Sequence, residues 1–158
     1  MKQFSIARRA TILLSVALLT ACASGVKLDD VDGKGGTDYS SQPWNDPKSP
    51  LFKRSVYFDF DSYAVKPEYQ ATLQAHANYL KANKDRKIKI EGNTDERGTT
   101  EYNLAVGQRR SEAVRTSLSL LGVSDSQMEA VSFGKEKPKA QGSNEAAWKE
   151  NRRADIAY

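Results

Sequence analysis

The chain has 158 residues, enough for one domain of ordinary size with accessory segments and short for two separate cores. Its formal charge of +4 looks basic, but Lys2, Arg8 and Arg9 lie in a leader-like N-terminus, and setting those three aside reduces the 24 basic side chains to 21 against 20 acidic ones. That near-neutral balance excludes a general nucleic-acid footprint, and a mean hydropathy of −0.66 marks a soluble product.

The N-terminus reads as an export signal: basic Lys2, Arg8 and Arg9 precede an apolar run from Ala10 to Leu19, too short for a permanent membrane span. Leu19-Thr20-Ala21-Cys22 comes next and resembles the lipobox of bacterial lipoproteins, in which the cysteine is lipidated and becomes the first residue. The alternative is an ordinary signal peptide with an incidental cysteine in an Ala-x-Ala context. Cys22 is the single cysteine, so no intrachain disulfide is available. Lipidation contributes about 0.8 kcal/mol per buried CH₂, and three acyl chains would make an anchor effectively permanent. Ala23 after the cysteine favours outer-membrane sorting. Residues 1–21 are thus expected to be a signal peptide.

Residues 22–54 carry the lipidated Cys22 and then a stretch rich in Gly, Pro, Ser, Asp and Lys with no sustained period of 2 or 3.6, which reads as a flexible tether. About 30 such residues have a stretched reach of roughly 100 Å. Trp44 and Leu51-Phe52 are the positions in it able to dock on a domain.

From Ser55 the pattern changes. Val56, Phe58 and Phe60 alternate with Tyr57, Asp59 and Asp61, the period of a half-buried strand with an acidic end. Pro67-Glu68 suits a first helical turn, and Tyr69, Leu73, His76, Ala77 and Leu80 form a helical stripe. His76 is the only histidine and has no Cys or second His to share a metal, so a satisfied core histidine is expected rather than a ligand. Lys87 to Glu91 alternates as a second strand with Ile88 and Ile90 inward. Val106, Ala113, Val114, Leu118 and Leu121 mark a second helix ending at Gly122. A third strand spans Met128 to Phe133, a helical turn Asn144 to Glu150, and a last strand Arg153 to Tyr158. The order β-α-β-α-β-β implies an α/β (α+β) two-layer sandwich over residues 55–158, with helices on one face of a mixed sheet.

Between the second strand and second helix lies Glu91-Gly92-Asn93-Thr94-Asp95-Glu96-Arg97-Gly98-Thr99, a glycine-bounded, charge-dense loop of the kind on which scaffolds present binding sites. Val106, Arg110 and Val114 are spaced by four, which puts Arg110 on the apolar stripe, where a charge needs partners; Arg109, about 100° round, faces away. Asp95 is the nearest carboxylate in the chain. Two arrangements are open. Either Asp95 and Arg110 form an internal salt bridge that holds the loop, or they form a split clamp, Asp95 accepting a ligand ammonium and Arg110 gripping a ligand carboxylate.

This loop, with Glu101-Tyr102-Asn103, Arg109-Arg110, Gly134-Lys135-Glu136-Lys137-Pro138 and Asn151-Arg152-Arg153, resembles the peptidoglycan-associated lipoproteins of the OmpA-like family over about residues 55–158. The resemblance implies a non-enzymatic domain that binds the meso-diaminopimelate of the peptidoglycan stem peptide, whose distal end carries an ammonium and a carboxylate on one carbon. Carried over by position, Asp95 and Arg110 are the main pair, and Asp61, Arg97 and Asn103 line the same pocket. Position 93, often His among relatives, is Asn here. The resemblance also implies an outer-membrane lipid anchor with the domain in the periplasm of a Gram-negative bacterium, TolB and other Tol proteins as partners, and a role in envelope integrity and cell division. It implies no cofactor and no metal.

Other classes fit less well. Asp95 and Glu96 are adjacent on one loop, unlike the separated carboxylates that flank a glycosidic bond, and no Ser or Cys nucleophile set is evident. A stator or porin-linked module of the same fold lacks a lipobox. The Gly92 to Gly98 loop lacks the Gly-Lys-Ser/Thr ending of a phosphate cradle.

Overall fold

The computed structural model describes residues 42–158; the expected signal peptide, Cys22 and most of the expected tether lie outside the described residues. Four strands and three helices succeed one another as β1 (Ser55–Tyr57), α1 (Gln70–Ala82), β2 (Ile88–Asn93), α2 (Thr100–Leu120), β3 (Met128–Gly134), α3 (Glu145–Asn151) and β4 (Arg153–Ala157). The sheet order is β1-β4-β2-β3, with β2 and β3 parallel and the other two pairings antiparallel. This is the mixed α/β sheet that the periodicity implied. The last strand inserts between β1 and β2 because the α3 connection carries the chain back across the sheet.

Ile88 and Ile90 of β2 and Ala154 and Ile156 of β4 point to one face, against Leu73, Ala77 and Leu80 of α1 and Val114 and Leu118 of α2. The alternate residues Lys89 and Glu91 lie on the other, solvated side. Helix α2 starts with Thr99, whose side chain accepts the Tyr102 amide, and stops at Gly122, whose φ of +90° is the left-handed turn expected of a C′ glycine.

β1 is shorter than its alternation suggests. Val56 and Phe58 are buried, but the strand ends at Tyr57 and Phe60 is 64% exposed. The backbone turns at Asp59 to Asp61 and carries Phe60 out over the charged loop. In the segment read as tether, Trp44 and Leu51 are buried. Trp44 stacks on Tyr158 at 4.3 Å and 5°, meets Tyr79 edge-on, and has the Arg86 guanidinium 5.1 Å from its ring centroid. Residues after 42 therefore contribute to the core. An indole offers more apolar area than a flexible tether leaves exposed to water.

His76 is fully buried between Lys53 and Tyr158. Nε2 lies 2.9 Å from the Lys53 carbonyl, which can only accept, so Nε2 carries the proton and Nδ1 accepts from the Tyr158 hydroxyl at 2.6 Å. Burial holds His76 neutral, below the ordinary histidine value of 6.5. The unfolded chain takes up a proton below that pH and the folded chain resists it, so stability is complete above pH 6.5 and declines as pH falls below it. Urea midpoints measured from pH 7.5 to 5 should show that decline in wild type and lose most of it in His76→Gln.

Candidate functional site

Three segments meet beyond the C-terminal end of β2: the turn 58–63, the loop 94–99, and the junction of α3 with β4. Arg110 joins the first of these to the end of β2. It projects from α2, is 1% exposed, and donates from Nε to Ser62 O (2.9 Å), from Nη1 to Asn93 O (2.9 Å) and from Nη2 to Asp59 O (3.2 Å). Burial brings its pKa down to about 10, partly offset by the charge of Asp95, so it remains a cation at neutral pH. The inward position read from helical spacing is the observed one. The direct Asp95 to Arg110 salt bridge is not formed: three carbonyl dipoles satisfy the guanidinium without a second desolvated charge.

Asp95 is 4% exposed and has different partners. Its Oδ1 accepts from the Arg97 amide and Nε, both at 3.2 Å, and its Oδ2 accepts from Arg97 Nη2 at 2.7 Å and Arg152 Nη1 at 3.3 Å. Burial pushes the carboxyl up, but the hydrogen bonds from the Arg97 side chain and amide and from Arg152 outweigh it and hold it below the usual carboxylate value. Arg152 also donates to Phe58 O at 3.3 Å and to Glu145 Oε1 at 2.6 Å. Helical spacing, which singles out Arg110, does not reach Arg152, but strand parity does. Residues 152, 154 and 156 share one parity, and Ala154 and Ile156 face the core, so Arg152 is an inward cation on the same kind of argument.

The Arg97 guanidinium lies 4.3 Å from the Phe60 ring centroid and 4.1 Å from that of Trp148, whose Nε1 donates to Glu96 Oε1 at 3.0 Å. Asn103, buried at the start of α2, donates from Nδ2 to Arg97 O at 2.9 Å and so holds loop backbone. Asp61 is exposed, has φ of +50°, and accepts from the Tyr102 hydroxyl at 2.5 Å. Asn93 turns its side chain back to Glu91 O at 3.0 Å.

The five residues named from the sequence thus form one cluster in two tiers. Asp95, Arg110 and Asn103 are buried beneath, while Asp61 and Arg97 reach solvent with opposite charges. Such an arrangement suits a small zwitterion better than a catalytic pair. Asp95 and Glu96 are held by different partners, and among the described residues no group of His, Cys, Asp and Glu is placed to hold a metal.

Comparison with known proteins matches residues 57–152 to the OmpA family. The chain is 47% identical over 144 residues to the peptidoglycan-associated lipoprotein of Pasteurella multocida, covering 91% of this chain and 92% of that one. The crystal structure of the peptidoglycan-associated lipoprotein from Burkholderia pseudomallei is 69% identical, covering 74% of this chain and 99% of that one with a TM-score of 0.72. The C-terminal domain of Helicobacter pylori MotB, 21% identical over 65% of this chain and 81% of that one, has a TM-score of 0.59 and shares the fold alone.

Proposed function

The chain belongs to the OmpA family, among its peptidoglycan-associated lipoproteins, and from that premise we propose that the loop cluster binds the diaminopimelate of a peptidoglycan stem peptide. The observation that carries the reading is the two-tier site: a carboxylate and a guanidinium at the surface, Asp61 and Arg97, over a buried pair of opposite charges, Asp95 and Arg110. The distal end of diaminopimelate presents one ammonium and one carboxylate on a single carbon, and each finds an opposite charge here. Asn103 lines the site by holding the Arg97 backbone. Asp95 already accepts two guanidinium groups, so a ligand ammonium reaches it by replacing Arg152 while the Arg97 bonds stay in place.

The domain acts by binding, in keeping with the names of its relatives, and carries no reaction. Anchored by lipid at Cys22 in the outer membrane of a Gram-negative bacterium, with its domain in the periplasm, it would hold that membrane to the wall. TolB and other Tol proteins are the expected protein partners, linking it to envelope integrity and cell division. The exposed Phe60, Tyr102 and Leu104 beside the site offer the apolar and aromatic area that forms the core of a protein interface.

Co-sedimentation with purified sacculi tests the reading. Wild type should be retained on diaminopimelate-type sacculi and not on lysine-type sacculi, whose side chain lacks the distal carboxylate. Asp95→Asn keeps the side-chain shape and removes the charge, and it should lower retention by roughly tenfold or more, the scale of a lost charge-assisted pair. Equal retention of the variant, or of wild type on both wall types, would overturn the proposal.

A further inference from the structure

We propose that Trp148, on α3, is a positioning residue that turns Arg97 into a rigid receptor for the ligand's free carboxylate and so sets preference for the unamidated ligand; this rests on the diaminopimelate reading above. Arg97 is unusual for a surface arginine. Its side chain is 34% exposed, yet it is held on three sides. Nε and Nη2 donate to the two oxygens of Asp95, which sets the plane of the guanidinium. Phe60 and Trp148 have their ring centroids 4.3 and 4.1 Å from its central carbon. Both rings lie against the guanidinium and add two aromatic contacts to its Asp95 bonds.

One edge is left open. Nη1 makes no hydrogen bond among the described residues, so its two N–H groups and the second one of Nη2 are unspent donors. A carboxylate arriving there meets a cation that has no rotamer freedom left to lose, the condition under which a charged hydrogen bond contributes most to affinity. A carboxamide at the same place presents one neutral oxygen and an amino group that the cation repels, so rigidity converts into discrimination.

Trp148 is itself anchored. Its Nε1 donates to Glu96 Oε1 at 3.0 Å. Asn144 caps α3 by accepting the Ala147 amide at 3.0 Å, and Ala147 is buried. Arg152, directly after the helix, bonds to Asp95 and back to Glu145. The wall that flattens Arg97 is therefore tied to the same carboxylate that Arg97 binds. An aromatic face is required because its negative quadrupole attracts the cation, which an aliphatic side chain of similar reach does not.

The test uses the full chain as wild type, Trp148→Phe, Trp148→Leu and Phe60→Leu. Calorimetric titrations employ two probes: a muropeptide ending in diaminopimelate with its distal carboxylate free, and the same muropeptide with that carboxylate amidated. Wild type should prefer the free form by about tenfold or more. Both leucine variants should bring the ratio within about threefold of unity, and Trp148→Phe should restore most of it. A merely structural role would weaken both probes alike and leave the ratio unchanged, so a wild-type ratio in Trp148→Leu overturns the inference. If that variant does not unfold cooperatively, Phe60→Leu decides by the same criterion. Wild type binding both probes equally defeats the inference while leaving the diaminopimelate reading intact. Wild type binding neither defeats both.

Discussion

Gly92→Ala should lower the unfolding midpoint of the domain by roughly 10–20 °C, corresponding to about 3 kcal/mol or more. A Cβ built at Gly92 comes within 1.8 Å of Gly107 O, and one built at Gly107 comes within 2.3 Å of Ser132 Oγ and 2.8 Å of Gly92 O. Strand β2 and helix α2 therefore touch backbone to backbone. No rotamer change relieves that contact, because the atoms in the way belong to the main chain; the helix must lift off the sheet. Val114 and Leu118 would leave the core with it. Asn93, which accepts from Arg110, is the next residue after Gly92, so ligand binding should be lost together with stability. Differential scanning calorimetry measures the first effect, and sedimentation with sacculi the second. A midpoint within about two degrees of wild type would mean that the close approach is not maintained in solution.

Arg110→Ala is expected to cost about 3–5 kcal/mol, the scale of truncating a large buried side chain together with leaving buried acceptors unpaired. The change leaves the carbonyls of Asp59, Ser62 and Asn93 without their donor and opens a cavity where a nearly inaccessible side chain stood. The turn that carries Phe60 and Asp61 would lose its tie to β2. Binding should therefore fall for two separable reasons, a loosened site and a missing cation. Arg110→Lys separates them. The ammonium keeps the charge but concentrates its donors at one point, and cannot span three carbonyls as a planar guanidinium does. Urea titration should rank stability as wild type, then Arg110→Lys, then Arg110→Ala. If Arg110→Ala unfolds at the wild-type urea concentration, the carbonyl cage contributes nothing and the residue serves the ligand alone.

A purely ligand-gripping arginine would behave otherwise, and the difference shows how far the sequence could be read. Spacing by four from Val106 to Val114 identifies Arg110 as inward without any coordinates, because helical geometry is local. The same spacing contains nothing about what the guanidinium meets, since Asp59 and Ser62 lie about fifty residues away and arrive through the placement of β1 at the sheet edge. Strand parity flags Arg152 in the same way. Phe60 goes the other way: its alternation with Val56 and Phe58 is real, but the chain turns before the period can continue.

His76 illustrates a reading that needs only composition. With no second metal ligand of its kind in the chain, a core position is the expectation, and its two hydrogen bonds fill both ring nitrogens. Trp44 illustrates the opposite. It sits among glycines, prolines and charges with no period around it, and its burial depends on Tyr158 at the far end of the chain.

By itself, then, the sequence determined the features that short-range periodicity and residue chemistry dictate. Those are the alternation of strands and helices, the stop at Gly122, the charged loop after β2, the inward turn of Arg110, and a family resemblance specific enough to suggest a ligand. Only the tertiary structure decided the pairing. Asp95 bonds to Arg97 and Arg152, Arg110 bonds to carbonyls, and Phe60 and Trp148 close on Arg97 from segments nearly ninety residues apart in the chain. The physical reason is that a hydrogen bond or an ion pair is settled by the few ångströms between two groups. For residues distant in sequence, those ångströms are set by sheet order and by the backbone contact of Gly92 with Gly107, which no local pattern records.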